Sequence, residues 1–196
     1  RAAAGDLPLG ATWAAAAGAV TWERPFGAEE LRFVRQLKVR AEDEVRRRGS
    51  AERDVKRGVG GIRDVEFSAQ LLQLVHGRVD GDLRVRSTLD ALDRLAEGGY
   101  VDPDDAQVLA SSYRFLRRVE HVLQLDEERQ RHLVPTERDD RRRVARLLGF
   151  RGTPEAGPTE AFDRELAAHR ARVRATHERV WFRPLLASLS GAGPLG

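Results

Sequence analysis

The sequence predicts an all-α protein, an up-and-down helical bundle of about four long helices with short accessory helices. Apolar residues recur at three- and four-residue steps through most of the chain, which is the spacing of an amphipathic helix. Charged residues make up 33% of the 196 residues and aromatic residues only 6%, a balance typical of long helices. No segment alternates polar and apolar residues as a half-buried strand does. We expect a lead-in at 1–27, a helical bundle domain at 28–190 and a disordered tail at 191–196.

The first half of the chain contains four predicted helices separated by turn-forming residues. The alanine-rich lead-in favours a short helix at 11–17, and a long helix follows over 28–49. The next helix, over 62–75, carries apolar residues on more than one stripe, which predicts a central, well-covered position. Ser87 is expected to cap a short helix that ends at Gly98.

The strongest predicted helix lies in the second half of the chain, over 104–132. Its residues Leu109, Leu116 and Leu123 are seven apart and therefore share one face. A shorter helix over 137–148 follows, and a glycine- and proline-containing connection leads to the last one.

The last predicted helix covers 159–188, and Pro184 is expected to bend or end it. His169 and His177 share a nearly apolar face of this helix with Trp181. We interpret the two histidines as packing residues rather than metal ligands, and Trp181 as an anchor in the core.

Composition excludes several classes of protein and site. Cysteine is absent, which rules out disulfide scaffolds, thiolate metal sites and cysteine nucleophiles. No run approaches the roughly 20 apolar residues of a membrane span. The arginine clusters at 46–48 and 141–143 lie beside acidic residues, so we expect solvated helix surfaces rather than nucleic-acid contacts. We expect a cytoplasmic protein with no membrane or nucleic-acid partner and, because the chain starts at Arg1 without any methionine, a fragment of a longer polypeptide.

One stretch carries chemical information, a glycine-rich loop over 54–61 that leads directly into a helix. The amides of such a loop and helix N-terminus can converge on an anion, and Lys56 or Arg63 would add a charged contact to a phosphate. Alternatively, the glycines supply turn conformations and close packing, while Arg63 pairs with a carboxylate. The loop matches neither a Walker loop nor a dinucleotide fingerprint. The residues by themselves favour the packing role.

The run from Lys56 to Phe67, Lys-Arg-Gly-Val-Gly-Gly-Ile-Arg-Asp-Val-Glu-Phe, resembles a signature of bacterial glutamine synthetase adenylyltransferase/deadenylylases. That signature is Lys-x-Gly-x-Gly-Gly-Ile-Arg-Asp/Glu-Ile/Val-Glu-Phe. Other stretches resemble the same family in the same order, at 115–121, 123–124, 132–135 and 180–186. The related PII uridylyltransferases share a shorter core, but Glu66, Phe67 and Gln70 favour the adenylyltransferase branch. The downstream pattern resembles the N-terminal, deadenylylating half.

The resemblance implies a role in nitrogen regulation, as the helical domain that follows a nucleotidyltransferase domain and supports AMP removal from, and addition to, a tyrosine of glutamine synthetase. It implies Mg²⁺ and ATP, ADP or AMP as cofactors of the full-length, multifunctional enzyme. It also implies three partners: glutamine synthetase, the PII signalling protein and the enzyme's own nucleotidyltransferase domain. Family catalysis uses a Gly-Ser pair and an Asp-x-Asp metal pair on a sheet, whereas the formally similar triplet at 80–82 falls in a predicted loop. We therefore expect no catalytic residue, metal or cofactor in this chain, and no activity of the chain alone.

Together these considerations define a candidate site around the glycine-rich loop. The candidates for proximity to nucleotide phosphates are Lys56, Gly58, Gly60, Gly61 and Arg63. The candidates for holding the loop or a domain interface are Asp64, Glu66, Arg117, Arg118 and Glu120. The alternative is a stand-alone helical interaction module that makes no nucleotide contact.

Overall fold

The computed structural model describes residues 4–24, 26–127, 132–152 and 156–189. The predicted all-α class is confirmed, since this part of the chain contains only an isolated bridge between Asp54 and Leu133 in place of a sheet. The helices are α1 (Leu7–Trp22), α2 (Ala28–Arg47), α3 (Ile62–His76), α4 (Thr88–Glu97), α5 (Pro103–Glu127), α6 (Arg138–Leu147) and α7 (Pro158–Leu189). A single 3-10 turn, Gly81–Leu83, lies between α3 and α4. The up-and-down arrangement of four long helices stays a prediction, as do the domain limits, and the predicted tail at 191–196 lies outside the described residues.

Helix ends follow the local chemistry of the sequence. The Ser87 hydroxyl accepts a hydrogen bond from the Asp90 N–H at 3.3 Å and so caps α4 as predicted. Gly49, Gly99 and Gly149 follow α2, α4 and α6 with φ values of 65°, 72° and 92°. This left-handed conformation is strained for residues with a Cβ, so a glycine is the expected residue where the chain leaves a helix.

Two predicted helix boundaries are wrong. The helix α1 starts at Leu7 and is longer than the predicted segment at 11–17. The predicted helix over 104–132 does not include His132, because residues beyond α5 pair with the loop before α3. The Val55 N–H donates to the His132 carbonyl and the Val134 N–H to the Arg53 carbonyl, each at 2.9 Å. These backbone hydrogen bonds hold the chain in an extended conformation that a helix cannot adopt.

Pro184 does not end the last helix, because α7 continues to Leu189. A proline inside a helix removes one backbone hydrogen bond, which a long, otherwise continuous helix tolerates at the cost of local strain. Of the two outcomes expected at Pro184, an end of the helix is therefore excluded, and a bend stays a prediction. The connection predicted at 152–158 includes residues 153–155, which lie outside the described residues, and Pro158 already belongs to α7.

Three helices, α3, α5 and α7, form the centre of the core. The helix α5 packs against α3, α4, α6 and α7, and α3 packs against α4 and α7. Leu109, Leu116 and Leu123 are all buried, so the predicted apolar face of α5 is confirmed. Burial of each such side chain contributes about 1.5–3 kcal/mol relative to exposure.

A smaller apolar cluster attaches α2 to this core. Leu31 of α2 packs with Leu71 of α3 and Trp181 of α7, and Phe67 lies beside them. The ring centroids of Phe67 and Trp181 are 6.5 Å apart, within the range of favourable aromatic pairs. The predicted anchoring role of Trp181 is confirmed.

The helix α1 differs from all the others, because none of its residues is buried. It carries no charged residue from Leu7 to Trp22, yet Leu9, Trp13 and Val20 are exposed. Its described attachment is at the C-terminal end, where the Trp22 ring lies 5.8 Å from the Arg84 guanidinium. Among the described helices, none, α1 included, is long and apolar enough to cross a membrane.

Candidate functional site

The glycine-rich loop is closed by its own hydrogen bonds. The Asp54 carboxylate accepts from the backbone N–H groups of Lys56 and Arg57 at 2.9 and 2.8 Å. The Ile62 N–H then donates back to the Val55 carbonyl at 3.0 Å, so the chain turns sharply before it enters α3. The loop is therefore a fixed structure at the N-terminus of α3.

The three candidate glycines are required by close packing. A Cβ at Gly60 would lie 2.2 Å from the Arg170 carbonyl oxygen, and Gly60 also has a φ of 71°. A Cβ at Gly58 would lie 2.2 Å from the Ala51 carbonyl oxygen, and one at Gly61 would lie 2.7 Å from that of Gly58. Contacts this short are forbidden by sterics, so the packing role is what these glycines perform.

The backbone amides at the start of α3 already have protein partners. The Gly60 N–H donates to Asp64 Oδ2 at 2.7 Å. The N–H groups of Gly61, Ile62, Arg63 and Asp64 donate to loop carbonyls at 2.9–3.1 Å. The expectation that these amides converge on an anion is therefore wrong. Any phosphate contact from this loop has to come from the Lys56 and Arg63 side chains.

Asp64 connects the loop to α2. Its carboxylate is buried, and Oδ1 accepts from Lys38 Nζ at 2.7 Å while Oδ2 holds the Gly60 N–H. Lys38 is buried as well and also contacts Glu42 Oε1 at 2.5 Å. Because both Asp64 oxygens have inward partners, Asp64 fixes the loop, in agreement with the predicted loop-holding role.

Glu120 is the centre of a second buried charge cluster. This carboxylate is only 1% exposed. Its Oε2 pairs with Arg117, and its Oε1 lies 3.1 Å from Lys56 Nζ and 3.1 Å from His132 Nδ1. The two contacts of Oε1 have ion-pair distances without hydrogen-bond alignment. Glu120 therefore has two cationic partners, Lys56 and Arg117, at this edge of the loop.

Arg63 does not form the carboxylate pair that the packing interpretation anticipated. It is half-buried, and its guanidinium lies 5.9 Å from the centre of the Phe67 ring. Among the residues that the structure describes, no carboxylate is within ion-pair distance of it. A cation over an aromatic face gains only about 0.5–1 kcal/mol at a partly exposed position, so the charge remains available to an external anion.

The remaining candidates join helices. The Tyr113 hydroxyl donates to Glu66 Oε1 at 3.4 Å and so links α5 to α3. Arg118 Nη2 donates to the Leu148 carbonyl at 3.1 Å and links α5 to the end of α6. The structure therefore brings Lys56, Arg117 and Glu120 together, but it places Arg118 at the α6 end of the bundle.

Comparison with known proteins now identifies the family. Residues 33–181 match the family described as GlnD PII-uridylyltransferase. The chain belongs to this family.

Curated relatives of this family member carry the name bifunctional glutamine synthetase adenylyltransferase/adenylyl-removing enzyme. The protein from Streptomyces avermitilis is 44% identical over 99% of this chain, and that from Streptomyces coelicolor is 42% identical over 99%. The protein from Corynebacterium glutamicum is 40% identical over 94% of the chain. The resemblance drawn from the loop signature is thereby confirmed. The chain spans about a fifth of the length of these relatives, since it covers 19%, 19% and 18% of them.

Sequence reasoning missed one residue that fixes the loop of this GlnD-family chain. Arg170 of α7 donates from Nε to the Val59 carbonyl at 3.0 Å and from Nη2 to the Ala51 carbonyl at 2.8 Å, and its Nη1 reaches the Glu52 carbonyl. One guanidinium thus satisfies the carbonyl of Val59 in the loop and the carbonyls of two residues just before it, as its five fixed donors permit. No local signal distinguishes Arg170 from the other arginines of α7.

The two histidines of α7 have structural partners in the core. His177 Nδ1 is 2.8 Å from the Ser68 hydroxyl, and burial lowers the pKa of His177 to about 4. His169 Nδ1 is 2.9 Å from the Ser112 hydroxyl, and its Nε2 is 3.1 Å from Glu165. This Ser-His-Glu geometry resembles a hydrolase triad, but Ser112 is 0% exposed and therefore cannot reach a substrate.

Proposed function

We propose that this chain is the helical domain of a glutamine synthetase adenylyltransferase/adenylyl-removing enzyme, from its N-terminal, deadenylylating half. In that role it presents Lys56 and Arg63 to phosphate groups of a nucleotide held by the neighbouring nucleotidyltransferase domain. The observation that carries the proposal is the loop itself. It is immobilised from three sides and carries Lys56, and Arg63 follows in the first turn of α3.

The immobilisation of the loop matches what phosphate recognition requires. Asp64 holds the loop to α2, Arg170 holds it to α7, and Glu120 lies 3.1 Å from Lys56 on the side of α5. A cation that is already positioned loses little conformational freedom when it meets an anion. The rigid loop would therefore serve as a pre-organised support for two cations.

The charge of the loop points in the same direction. Arg63 lacks a carboxylate partner among the described residues, and the Lys56 side chain is 31% exposed beside Glu120. Two accessible and incompletely neutralised cations, one on the rigid loop and one at the start of the helix that follows it, attract an anion more strongly than scattered surface charges do. Phosphate groups, rich in acceptor oxygens, fit Arg and Lys donors.

Magnesium does not fit the described part of this chain. These residues include no group of three or more His, Asp or Glu side chains arranged to hold a metal ion. Mg²⁺ prefers oxygen ligands and substrate phosphates, so in the proposed enzyme the metal and the catalytic carboxylates belong to the nucleotidyltransferase domain. This chain would then act by positioning and charge.

The exposed helix α1 supports a domain partner. An uncharged helix with no buried residue exposes the large apolar side chains of Leu7, Leu9 and Trp13, and several large apolar side chains exposed on one helix are typical of an interaction surface. We propose the enzyme's own nucleotidyltransferase domain as the partner of this face. Contacts with glutamine synthetase and the PII protein, in the cytoplasm, would then be made by the full-length enzyme.

The test uses the full-length enzyme, with phosphate-dependent AMP release from adenylylated glutamine synthetase as the activity and urea unfolding as the stability measurement. Lys56→Ala and Arg63→Ala should each lower kcat/KM by roughly tenfold or more, which corresponds to about 1.4 kcal/mol of lost stabilisation. The matched control is Arg57→Ala, which removes an exposed charge of the same loop and should leave both measurements unchanged. Equal loss of activity and stability in the Arg63 variant would return Arg63 to a structural role and favour the alternative, a helical interaction module without nucleotide contact.

A further inference from the structure

A groove runs along α5 and is completed by residues of α4 and of the end of α6. Leu89 of α4 lines one side, and Leu147 and Leu148 at the end of α6 line the other. The groove has a volume of about 580 Å³, within the usual range of ligand clefts. The residues of α5 that line it share one stripe of that helix: Tyr113, Arg114, Arg117, Arg118, His121 and Val122.

The floor of this groove, which we call the α5 groove, is apolar. Leu147 is 59% exposed although it sits beside the buried Leu148. Val122 is half-buried against the core. Covering exposed apolar surface stabilises a complex by about 25 cal/mol per Å², so a leucine- or phenylalanine-sized side chain placed here would be favourable. The groove therefore has room and surface for an apolar anchor.

The lining of the α5 groove contains three arginines and one histidine, and no aspartate or glutamate is among its residues. Arg114 has no carboxylate partner within the described ranges. Arg117 shares its charge with the buried Glu120, and Arg118 uses one N–H for the Leu148 carbonyl, which is neutral. A row of three arginines over an apolar floor is complementary to a ligand that is both acidic and apolar.

We propose that the α5 groove binds an acidic protein segment that inserts an apolar side chain between α5 and α6. Arg114, Arg117 and Arg118 lie within about one helical turn, and the His121 side chain continues the same stripe over a second turn. An extended row of this kind matches the carboxylates of a peptide better than a single small anion. A nucleic acid would bury its phosphates against a leucine floor, which costs desolvation without a compensating apolar contact.

The α5 groove is a different surface from the loop that is proposed to meet phosphate. It uses Arg114 and Leu147, which are not among the residues assigned to nucleotide. A partner that recognises this surface would be attracted by the arginine row and held by the apolar anchor, as in other groove-binding peptide complexes.

The test measures fluorescence anisotropy of a fluorescein-labelled peptide with glutamates and leucines at helical spacing, titrated with the full-length protein. Saturable binding is expected, and Arg114→Glu or Leu147→Ser should each raise Kd by roughly tenfold. Arg40→Glu on α2 changes the net charge equally but lies outside the groove, and Leu125→Ser removes an exposed leucine of α5 that does not line it. These two controls should change Kd by less than about twofold, and unchanged thermal unfolding should accompany all four variants.

Three results would overturn the proposal. Absence of saturable binding would show that the acidic peptide does not occupy the groove. An equal rise in Kd with Arg40→Glu and with Arg114→Glu would show that the peptide is attracted by net charge alone. Equal affinity for a peptide in which glutamine replaces every glutamate would remove the electrostatic argument. If sodium octanoate binds, with loss on Arg114→Glu, while the peptide does not, the groove is a small-molecule carboxylate site instead.

Discussion

Replacement of Gly60 by alanine should be one of the most damaging single-methyl additions to this fold, and Gly99→Ala provides a matched control. The two glycines have nearly identical φ values, 71° and 72°. A Cβ at Gly99 would meet nothing within 4 Å, whereas one at Gly60 would lie 2.2 Å from the Arg170 carbonyl oxygen. The difference between the two variants therefore isolates the contact between the loop and α7.

The magnitude follows from the geometry. The left-handed conformation costs an alanine about 1–2 kcal/mol, and the reduced freedom of the unfolded chain returns about 0.4–1 kcal/mol, so Gly99→Ala should lower the free energy of unfolding by about 1 kcal/mol. At Gly60 the backbone of Arg170 must also retreat from 2.2 Å to the 3.4 Å of an ordinary contact, a shift of 3.4 − 2.2 = 1.2 Å. Overpacking of this kind costs about 1–3 kcal/mol, and the same shift pulls the Arg170 side chain from its loop carbonyls.

Urea unfolding followed by far-ultraviolet circular dichroism gives both free energies. We expect Gly60→Ala to lose about 2–3 kcal/mol more than Gly99→Ala. Equal losses would refute the reasoning, because they would mean that the loop does not press against α7 and that backbone conformation alone accounts for the effect. A larger loss for Gly99→Ala would refute the assignment of the two sites.

Two further predictions concern buried charge. Asp64→Ala should lower the free energy of unfolding by about 3 kcal/mol, because it leaves buried Lys38 with one partner fewer. The control Asp43→Ala removes a carboxylate from an exposed ion pair and should cost less than about 1 kcal/mol. Equal urea midpoints for the two variants would contradict this prediction. The depressed pKa of His177, about 4 against 6.5 unfolded, means that the unfolded chain binds the proton first as pH falls. The contribution of His177 to the free energy of unfolding is therefore fully present above pH 6.5. It is lost as the pH falls from 6.5 to about 4, by about 3 kcal/mol in total. The unfolding free energy of His177→Gln should therefore depend less on pH over this window than that of the unsubstituted protein, and parallel curves would contradict the assignment.

The parts of the fold that were predictable are those set by local periodicity and by helix-end residues. The seven-residue spacing of Leu109, Leu116 and Leu123 places them on one face whatever the neighbours are, and all three are buried. Ser87 caps a helix through atoms three residues away. Such interactions lie within one helical turn, so the sequence contains them directly.

The parts that were not predictable depend on contacts between distant segments. On α2, steps of three and four residues allow either Leu37 or Lys38 on the inner stripe. The structure buries Lys38, because Asp64, 26 residues away, lies opposite. Arg170 reaches carbonyls more than 100 residues earlier in the chain. The helix α5 stops short of His132 for the same reason, since the His132 carbonyl accepts a hydrogen bond from the distant Val55 N–H. Pairing across such separations depends on the tertiary arrangement, which local propensity does not encode.

The candidate loop and the α5 groove share one carboxylate, and this sharing determines how they would influence each other. Glu120 faces Lys56 through Oε1 and Arg117 through Oε2. An acidic occupant of the groove competes for Arg117, and a carboxylate that loses one of two cations interacts more strongly with the other. Lys56 would then be held closer to Glu120 and would be less available to a phosphate. The two proposed surfaces are thus coupled with a definite sign, in which occupation of the groove opposes the contact of the loop with nucleotide.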